Sequence, residues 1–223
     1  LLLFMLAAGW TNIAFVEAAL TGNILRVLLL FYLSPLWAVL LGWLILRERL
    51  ERGALFSLLL AMSGALTMLW NPRLGLPLPH GGADWFALSA GFAFAFSNVL
   101  ARKMDDISTS ARSSGVWAGA VLVALPMIVF MDLETPSITR GAFVGAVALG
   151  LCGILVMTVV MQYGVTRLPV YRTAILTLIE LVVGALSQQL LTDEVVSARE
   201  WGGGVLILLG AWLSARITAP KPS

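Results

Sequence analysis

The chain has 223 residues, of which 60% are hydrophobic and only 12% are charged, and its mean hydropathy is +0.95. Soluble domains carry about 25% charged residues, so this composition excludes a soluble domain and indicates an all-α polytopic membrane protein. The net charge of +2 is spread over short loops, which argues against a nucleic-acid-binding face. The single cysteine, Cys152, excludes both an intramolecular disulfide and a cysteine-rich metal site.

Apolar runs that are separated by charges, proline and glycine predict eight membrane-spanning helices. They cover approximately residues 1–20, 24–46, 53–70, 85–100, 115–131, 141–165, 168–194 and 201–217. The longest polar connection, 71–84, is rich in proline and glycine and divides a three-helix unit (1–70) from a five-helix unit (85–218), which a short tail (219–223) follows. The chain begins inside an apolar run without an initiator methionine, so we expect it to be part of a longer protein.

The basic residues predict the orientation of these helices. When the connections are numbered alternately, ten Lys and Arg residues fall on one side and four on the other. The larger set is Arg47, Arg49, Arg52, Arg102, Lys103, Arg112, Arg167, Arg172, Arg216 and Lys221, and the smaller set is Arg26, Arg73, Arg140 and Arg199. Because cytoplasmic loops carry an excess of Lys and Arg, we expect both ends of the chain to lie in the cytoplasm.

A shift of 146 residues aligns the second and third helices with the seventh and eighth. Under this shift Arg26 meets Arg172, and Gly64 meets Gly210. Five spans, an odd number, separate the equivalent helices, so the two copies must run in opposite directions across the bilayer. Inverted repeats are found in many secondary transporters, whose substrate site lies near the membrane midplane between the repeats.

The seventh helix carries a carboxylate, Glu180, near the middle of an apolar run that is long enough to cross a bilayer. A charge at that depth costs at least about 2.5 kcal/mol and is tolerated where it faces a bundle interior or a water-filled cavity. Steps of three and four residues from Glu180 reach a polar, small-residue face that consists of Thr173, Thr177, Gly184, Ser187 and Gln188. We expect this face to point into the bundle, towards the first, second and sixth helices; the alternative is a structural carboxylate bonded to a neighbouring Ser, Thr or Trp.

Four residues on other helices are predicted to belong to the same substrate pathway. Pro35 lies in the middle of the second helix, where it removes a backbone hydrogen bond and is expected to kink the helix. Its neighbour Ser34 is equivalent to the mid-helix carboxylate under the repeat shift. Trp10 and Asn12 lie near the middle of the first helix, where polar groups usually face the interior.

Two further carboxylates, Glu48 and Glu194, follow the second and seventh helices and stand a few residues before the next helix. A carboxylate in this position accepts hydrogen bonds from the free N–H groups of a helix's first turn, so we predict a structural role for both. Signals of enzymatic chemistry are absent from the sequence. His80 is the only histidine, and there is neither a nucleotide-binding glycine loop nor a histidine cluster for metal. We therefore predict a protein that is not an enzyme and that uses neither a metal nor a cofactor.

Two segments resemble the pattern that closes each repeat of EamA-like proteins, in the drug/metabolite transporter superfamily. They are LSPLWAVLLGWLILRERLERGALFSLLLAMSGALTML (33–69) and RLPVYRTAILTLIELVVGALSQQLLTDEVVSAREWGGGVLILLGAWL (167–213). The Ser-Pro of the first, the mid-helix Glu of the second and the Glu after the helix in both carry the resemblance. It implies ten helices in two inverted five-helix repeats with both termini cytoplasmic, so that two helices are expected to precede this chain.

The resemblance also implies export, or sometimes uptake, of amino acids or other small metabolites across a bacterial inner membrane. The favoured function is thus secondary transport of a small metabolite, most often efflux, by alternating access, with a proton as a candidate coupling ion. The alternative is a non-transporting membrane protein, such as a partner subunit or an inactive truncated relative. A polar central cavity favours the first function, and a dry core around Glu180 favours the second.

Overall fold

The computed structural model describes residues 1–48, 50–71, 78–104, 106–130, 139–191 and 196–217. Within these ranges all regular secondary structure is helical. The helices are α1 (Leu2–Thr21), α2 (Ile24–Phe31), α3 (Ser34–Leu46), α4 (Arg52–Leu69), α5 (Gly82–Lys103), α6 (Thr109–Phe130), α7 (Arg140–Ala148), α8 (Leu155–Arg167), α9 (Val170–Leu191) and α10 (Ala198–Arg216). A π-helical turn, Leu149–Ile154, joins α7 to α8.

These helices form eight segments, because α2 continues into α3 and α7 continues through the π turn into α8. Among the described residues, seven segments are long and apolar enough to cross a membrane. The eighth, α10, has 19 residues and is less apolar because Arg199 and Glu200 lie in its first turn. The prediction of an all-α polytopic membrane protein is confirmed.

The second span is broken at the predicted proline. Helix α2 ends at Phe31, Tyr32 and Leu33 form a turn, and α3 begins at Ser34 with Pro35 in its first turn. Proline is tolerated there because the first N–H groups of a helix have no intrahelical partner. The break therefore gives the middle of this span a second helix start.

Helices α4 and α10 pack against each other through glycines that are equivalent under the 146-residue shift. Gly64 faces Gly203 and Ile207, and Gly210 faces Ser57 and Ala61. Positions 57 and 61 are the equivalents of 203 and 207, so the two sets of contacts are reciprocal. Positions rise along α4 as they fall along α10, which makes the helices antiparallel and relates them by a two-fold axis. The contacts confirm the predicted register and the inverted orientation.

The second pair of equivalent helices, α3 and α9, also makes contacts that run in opposite directions along the two helices. On α3 Gly42 faces Val170 of α9, and further back along the chain Tyr32 faces Glu180, so the two spans are antiparallel as predicted. The helix ends repeat as well. Pairs of ends that lie 146 residues apart are Thr21 and Arg167, Ile24 and Val170, and Arg52 and Ala198.

The two units differ in how well neighbouring helices cover the first span that both units contain. Helix α1 packs against both α5 and α6, and Gly9 and Gly119 bring the backbones of α1 and α6 into contact. Its equivalent is the end of the segment Arg140–Arg167, in which only Thr158, Gln162 and Val165 are buried. In the part of the chain that the structure describes, no helix covers the outer face of that segment.

Candidate functional site

A cleft lies where α3, α5, α8 and α9 meet, and it contains about 330 Å³ of empty space including its open side. Its walls are Ser34, Pro35 and Ala38 of α3, Phe94 and Asn98 of α5, Val165 of α8, and Val170, Thr173, Ala174 and Thr177 of α9. The polar groups among them are hydroxyls and one amide, and none is charged. The cleft thus offers hydrogen bonds in an otherwise apolar wall.

Four of the residues that the sequence assigns to the pathway meet in this cleft: Ser34, Pro35, Thr173 and Thr177. Both threonines donate to backbone carbonyls of their own helix, with Oγ1 of Thr177 lying 2.9 Å from the carbonyl oxygen of Thr173. Ser34 differs, because its Oγ is buried and has no hydrogen-bond partner, and the residue is only 1% exposed. Ser34 thus contributes to the cleft wall a buried hydroxyl whose hydrogen-bonding capacity is unused.

Glu180 lies one helical turn beyond Thr177 but does not line the cleft. Its carboxyl group faces the phenol of Tyr32, which is buried at the end of α2. Glu180 itself is exposed, as are Gly184 and Ser187 farther along the same face, and open space surrounds Gly184. The expectation that this whole face points into the bundle holds for Thr173 and Thr177 only. The expectation is wrong for Glu180, Gly184 and Ser187, because no described helix packs against that part of the face.

The structure places Trp10 and Asn12 away from the cleft. The indole Nε1 of Trp10 donates to Oγ of Ser89 at 3.1 Å and so joins α1 to the first half of α5. The amide of Asn12 donates to the carbonyl of Ala8 on its own helix. Neither residue is brought together with the other predicted pathway residues.

Glu48 forms contacts that the sequence does not indicate. Its Oε1 accepts from Nε of Arg102 at 2.6 Å, and its Oε2 accepts from the backbone N–H of Val170 at 3.0 Å. The predicted helix-end role is thus correct in kind, but the helix is α9, 122 positions away, and not the adjacent α4. Its repeat equivalent, Glu194, lies outside the described residues.

A second ion pair lies at the other end of α5. Nε of Arg26 donates to Oδ2 of Asp84 at 2.7 Å, and the same oxygen accepts from the backbone N–H of His80. Arg26 also donates to the carbonyl of Leu78. Asp84 lies in the first turn of α5, where a negative charge is favoured by the helix dipole. This pair fastens α2 to the start of α5.

Asn98 is the polar wall residue that sequence reasoning did not assign to the pathway. It lies inside the fourth predicted span, where an amide needs partners, and it precedes Arg102 by one helical turn on the same face. That spacing is the signal that could have identified it. In the part of the chain that the structure describes, no cluster of His, Cys, Asp and Glu could hold a metal ion.

Comparison with known proteins gives a consistent result. The sequence profile of the EamA-like transporter family matches residues 82–216. An "uncharacterized transporter" of Pseudomonas aeruginosa is 25% identical over 131 residues, which are 59% of this chain and 41% of that protein. A "probable amino-acid metabolite efflux pump" of Salmonella typhimurium is 26% identical over 184 residues, which are 78% of this chain and 61% of that protein.

The chain thus spans less than two thirds of the length of both relatives. A protein with a known crystal structure has the same fold, with a TM-score of 0.77 at 20% identity over 96% of this chain and 77% of its own.

Proposed function

The chain belongs to the EamA-like transporter family, and from this we propose that it is a secondary transporter that moves a small metabolite through the cleft between α3, α5, α8 and α9. The observation that carries the proposal is the buried, unpartnered hydroxyl of Ser34. Ser34 lies in the middle of its span, next to the centre of the two-fold relationship between the repeats. Inverted-repeat transporters bind substrate in this region.

The substrate class that fits this site is an amino acid or a related compound. The cleft wall supplies neutral hydrogen-bonding groups, and Glu180 lies one turn outside it with a carboxylate for a cationic group. The name of the Salmonella typhimurium relative refers to efflux of amino-acid metabolites, which supports the same class and outward transport. Glu180 has two candidate roles: binding the ammonium group of the substrate, or carrying the coupled proton.

The proposed location is a bacterial inner membrane, with Glu48 and Arg102 on the cytoplasmic side. Arg102 and Arg112 both donate to Thr166 at the end of α8, so the structure gathers several basic residues of the larger set at one end. Arg26, of the smaller set, lies at the opposite end of α5. This segregation supports the orientation that the positive-inside rule predicts.

The proposal is tested with Glu180→Gln in the full-length protein, reconstituted into liposomes and assayed by counterflow with a panel of radiolabelled amino acids. Glutamine keeps the shape of the side chain and removes its charge, so we expect a folded protein that no longer transports. Glu17→Gln is the matched control, because it makes the same change on α1, away from the cleft, and should transport normally. Normal transport by Glu180→Gln would contradict the role of the carboxylate. Absence of counterflow for every amino acid in the unmodified protein would favour a non-transporting membrane protein.

A further inference from the structure

An ion pair between Glu48 and Arg102 joins all four helices that line the cleft. Glu48 follows α3, Arg102 belongs to α5, and the backbone N–H of Val170 begins α9. Arg102 also donates through Nη1 to the carbonyl of Thr166 on α8 at 3.2 Å. The helices joined by Glu48 and Arg102 are the ones that supply the walls of the cleft.

A buried apolar layer adjoins the cleft on the side of this ion pair. It is formed by Ala38, Leu41, Ala95, Val99, Val170 and Ala174, of which Ala38, Val170 and Ala174 also line the cleft. Val170 belongs to both levels, since its side chain lines the cleft and packs on Gly42 while its N–H is held by Glu48. A solute that leaves the cleft towards the ion pair would meet this layer, in which Val170 packs on Gly42 of α3.

The backbone conformation at the end of α3 sets the direction of the Glu48 side chain. Arg47 ends α3 in the left-handed region with φ 56° and ψ 26°, and it is the only described non-glycine residue with positive φ. The N–H of Glu48 then donates to the carbonyl of Gly42. A left-handed residue with a backward hydrogen bond is a common helix ending, and it is usually made by glycine because a side chain makes the conformation less favourable. The turn directs Glu48 across the end of the cleft, towards α5 and α9.

The two ion pairs on α5 differ in exposure. The Arg26 and Asp84 side chains are 11% and 9% exposed, whereas those of Arg102 and Glu48 are 25% and 26% exposed. Water that reaches an ion pair weakens it, and partly exposed pairs contribute little net free energy. The Glu48–Arg102 pair is therefore the weaker of the two, while the Arg26–Asp84 pair fastens the opposite end of α5.

We propose that Glu48 and Arg102 form a gate that closes the cleft towards the end of the bundle where α3 ends and α9 begins. The proposal rests on the transport function proposed above, and it adds the residues that control access from one side. Opening towards this side requires the carboxylate of Glu48 to release both Arg102 and the N–H of Val170. The four helices can then separate around the apolar layer.

The gate is tested by the accessibility of a cysteine in the cleft. Cys152→Ser removes the one cysteine of this sequence, and Ala174→Cys places a reporter in the wall. Modification by a membrane-impermeant, charged methanethiosulfonate reagent is measured from each face, in intact spheroplasts and in inverted membrane vesicles. Into this background we introduce Glu48→Gln, which keeps an acceptor for Val170 and loses the ion pair, and Arg102→Gln. The matched control is Glu51→Gln, an exposed carboxylate in the same connection.

We expect both gate variants to raise the modification rate from the Glu48 face about fivefold, without raising the rate from the opposite face. The control should match the parent. Rates within twofold of the control for both variants, or equal increases from both faces, would overturn the proposal. If Glu48→Gln does not reach the membrane, Arg102→Gln decides by itself, because it also removes the ion pair; a rate within twofold of the control would then overturn the proposal. Labelling requires no substrate, so a failure of transport alone would count against the proposed function and not against the gate.

Discussion

Changing each of two adjacent glycines on α10 to alanine should shift the thermal stability of the protein in opposite directions. Gly203 lies against α4, where a Cβ atom would come within 2.5 Å of Cγ of Met68 and 2.6 Å of the carbonyl oxygen of Gly64. Gly202, one residue earlier, has nothing within 4 Å of the same position. Because both lie in one helix, differences in helix propensity cancel between the two variants.

The expected change in the free energy of unfolding follows from these distances. Ordinary contact begins at 3.4 Å, so a methyl group at 203 is 0.8 Å too close to a backbone oxygen that a rotamer change cannot move. Overpacking of this kind costs about 1–3 kcal/mol. At 202 the methyl group meets no obstacle, and replacing glycine by alanine inside a helix stabilises it by about 0.4–1 kcal/mol.

The assay is thermal unfolding of the purified protein in detergent, followed by the loss of the monodisperse peak. One kcal/mol corresponds to about 2–4 °C for a chain of this size, so Gly203→Ala should lower Tm by several degrees and Gly202→Ala should leave it unchanged or raise it. The reciprocal contact gives a second check, because Gly210→Ala should resemble Gly203→Ala. If Gly202→Ala destabilised the protein as much as Gly203→Ala, the close contact between α4 and α10 would be refuted.

Two further predictions concern charges. Asp84→Asn removes the ion pair that Asp84 forms with Arg26 at a mostly buried site and should lower the stability by about 2–3 kcal/mol, whereas Asp106→Asn, at an exposed position, should not change Tm in the same assay. The orientation predicts that an alkaline phosphatase fused after Ser223, a residue outside the described ranges, is inactive and that a fluorescent protein fused there is bright; the reverse result would place this end outside the cytoplasm.

The sequence predicts the number of helices and the repeat register because both depend on local features. Apolar runs set the spans, Pro35 sets the break, and the glycines that match across 146 residues are the ones that allow α4 and α10 to approach. A helix end is also encoded locally, which is why the ends repeat with the same spacing. These features need no knowledge of what lies across the bundle.

The site is less predictable because contacts between distant residues decide it. Helical spacing correctly groups Thr173 with Thr177, but it gives only an angle around α9 and cannot show that packing on this face of the helix ends before Glu180. Glu48 stands four residues before α4, yet it binds the start of α9, which approaches only in the folded bundle. Trp10 is polar at mid-helix, as expected for a pathway residue, but its partner is Ser89.

The two-fold relationship finally explains why Ser34 is the residue to test for ligand binding. Two contacts locate the centre of the two-fold relationship between α3 and α9: Gly42 with Val170, and Tyr32 with Glu180. Both place this centre at Leu33 and at its equivalent, 146 residues later. Ser34 lies directly beside this centre, and its buried hydroxyl lacks a partner.

An unsatisfied buried hydroxyl costs about 1–3 kcal/mol, so Ser34→Ala should leave the thermal stability of the empty protein unchanged or raise it. Ser57 is the matched control, because it is equally buried but donates to the carbonyl of Ala54 at 2.9 Å, and Ser57→Ala loses that bond. In the presence of a transported amino acid, Ser34→Ala should show a smaller rise in Tm than the parent, since the ligand then lacks its hydroxyl partner. Equal destabilisation by the two alanine variants, together with an unchanged ligand effect, would mean that Ser34 is a packing residue of the bundle and that the ligand binds elsewhere.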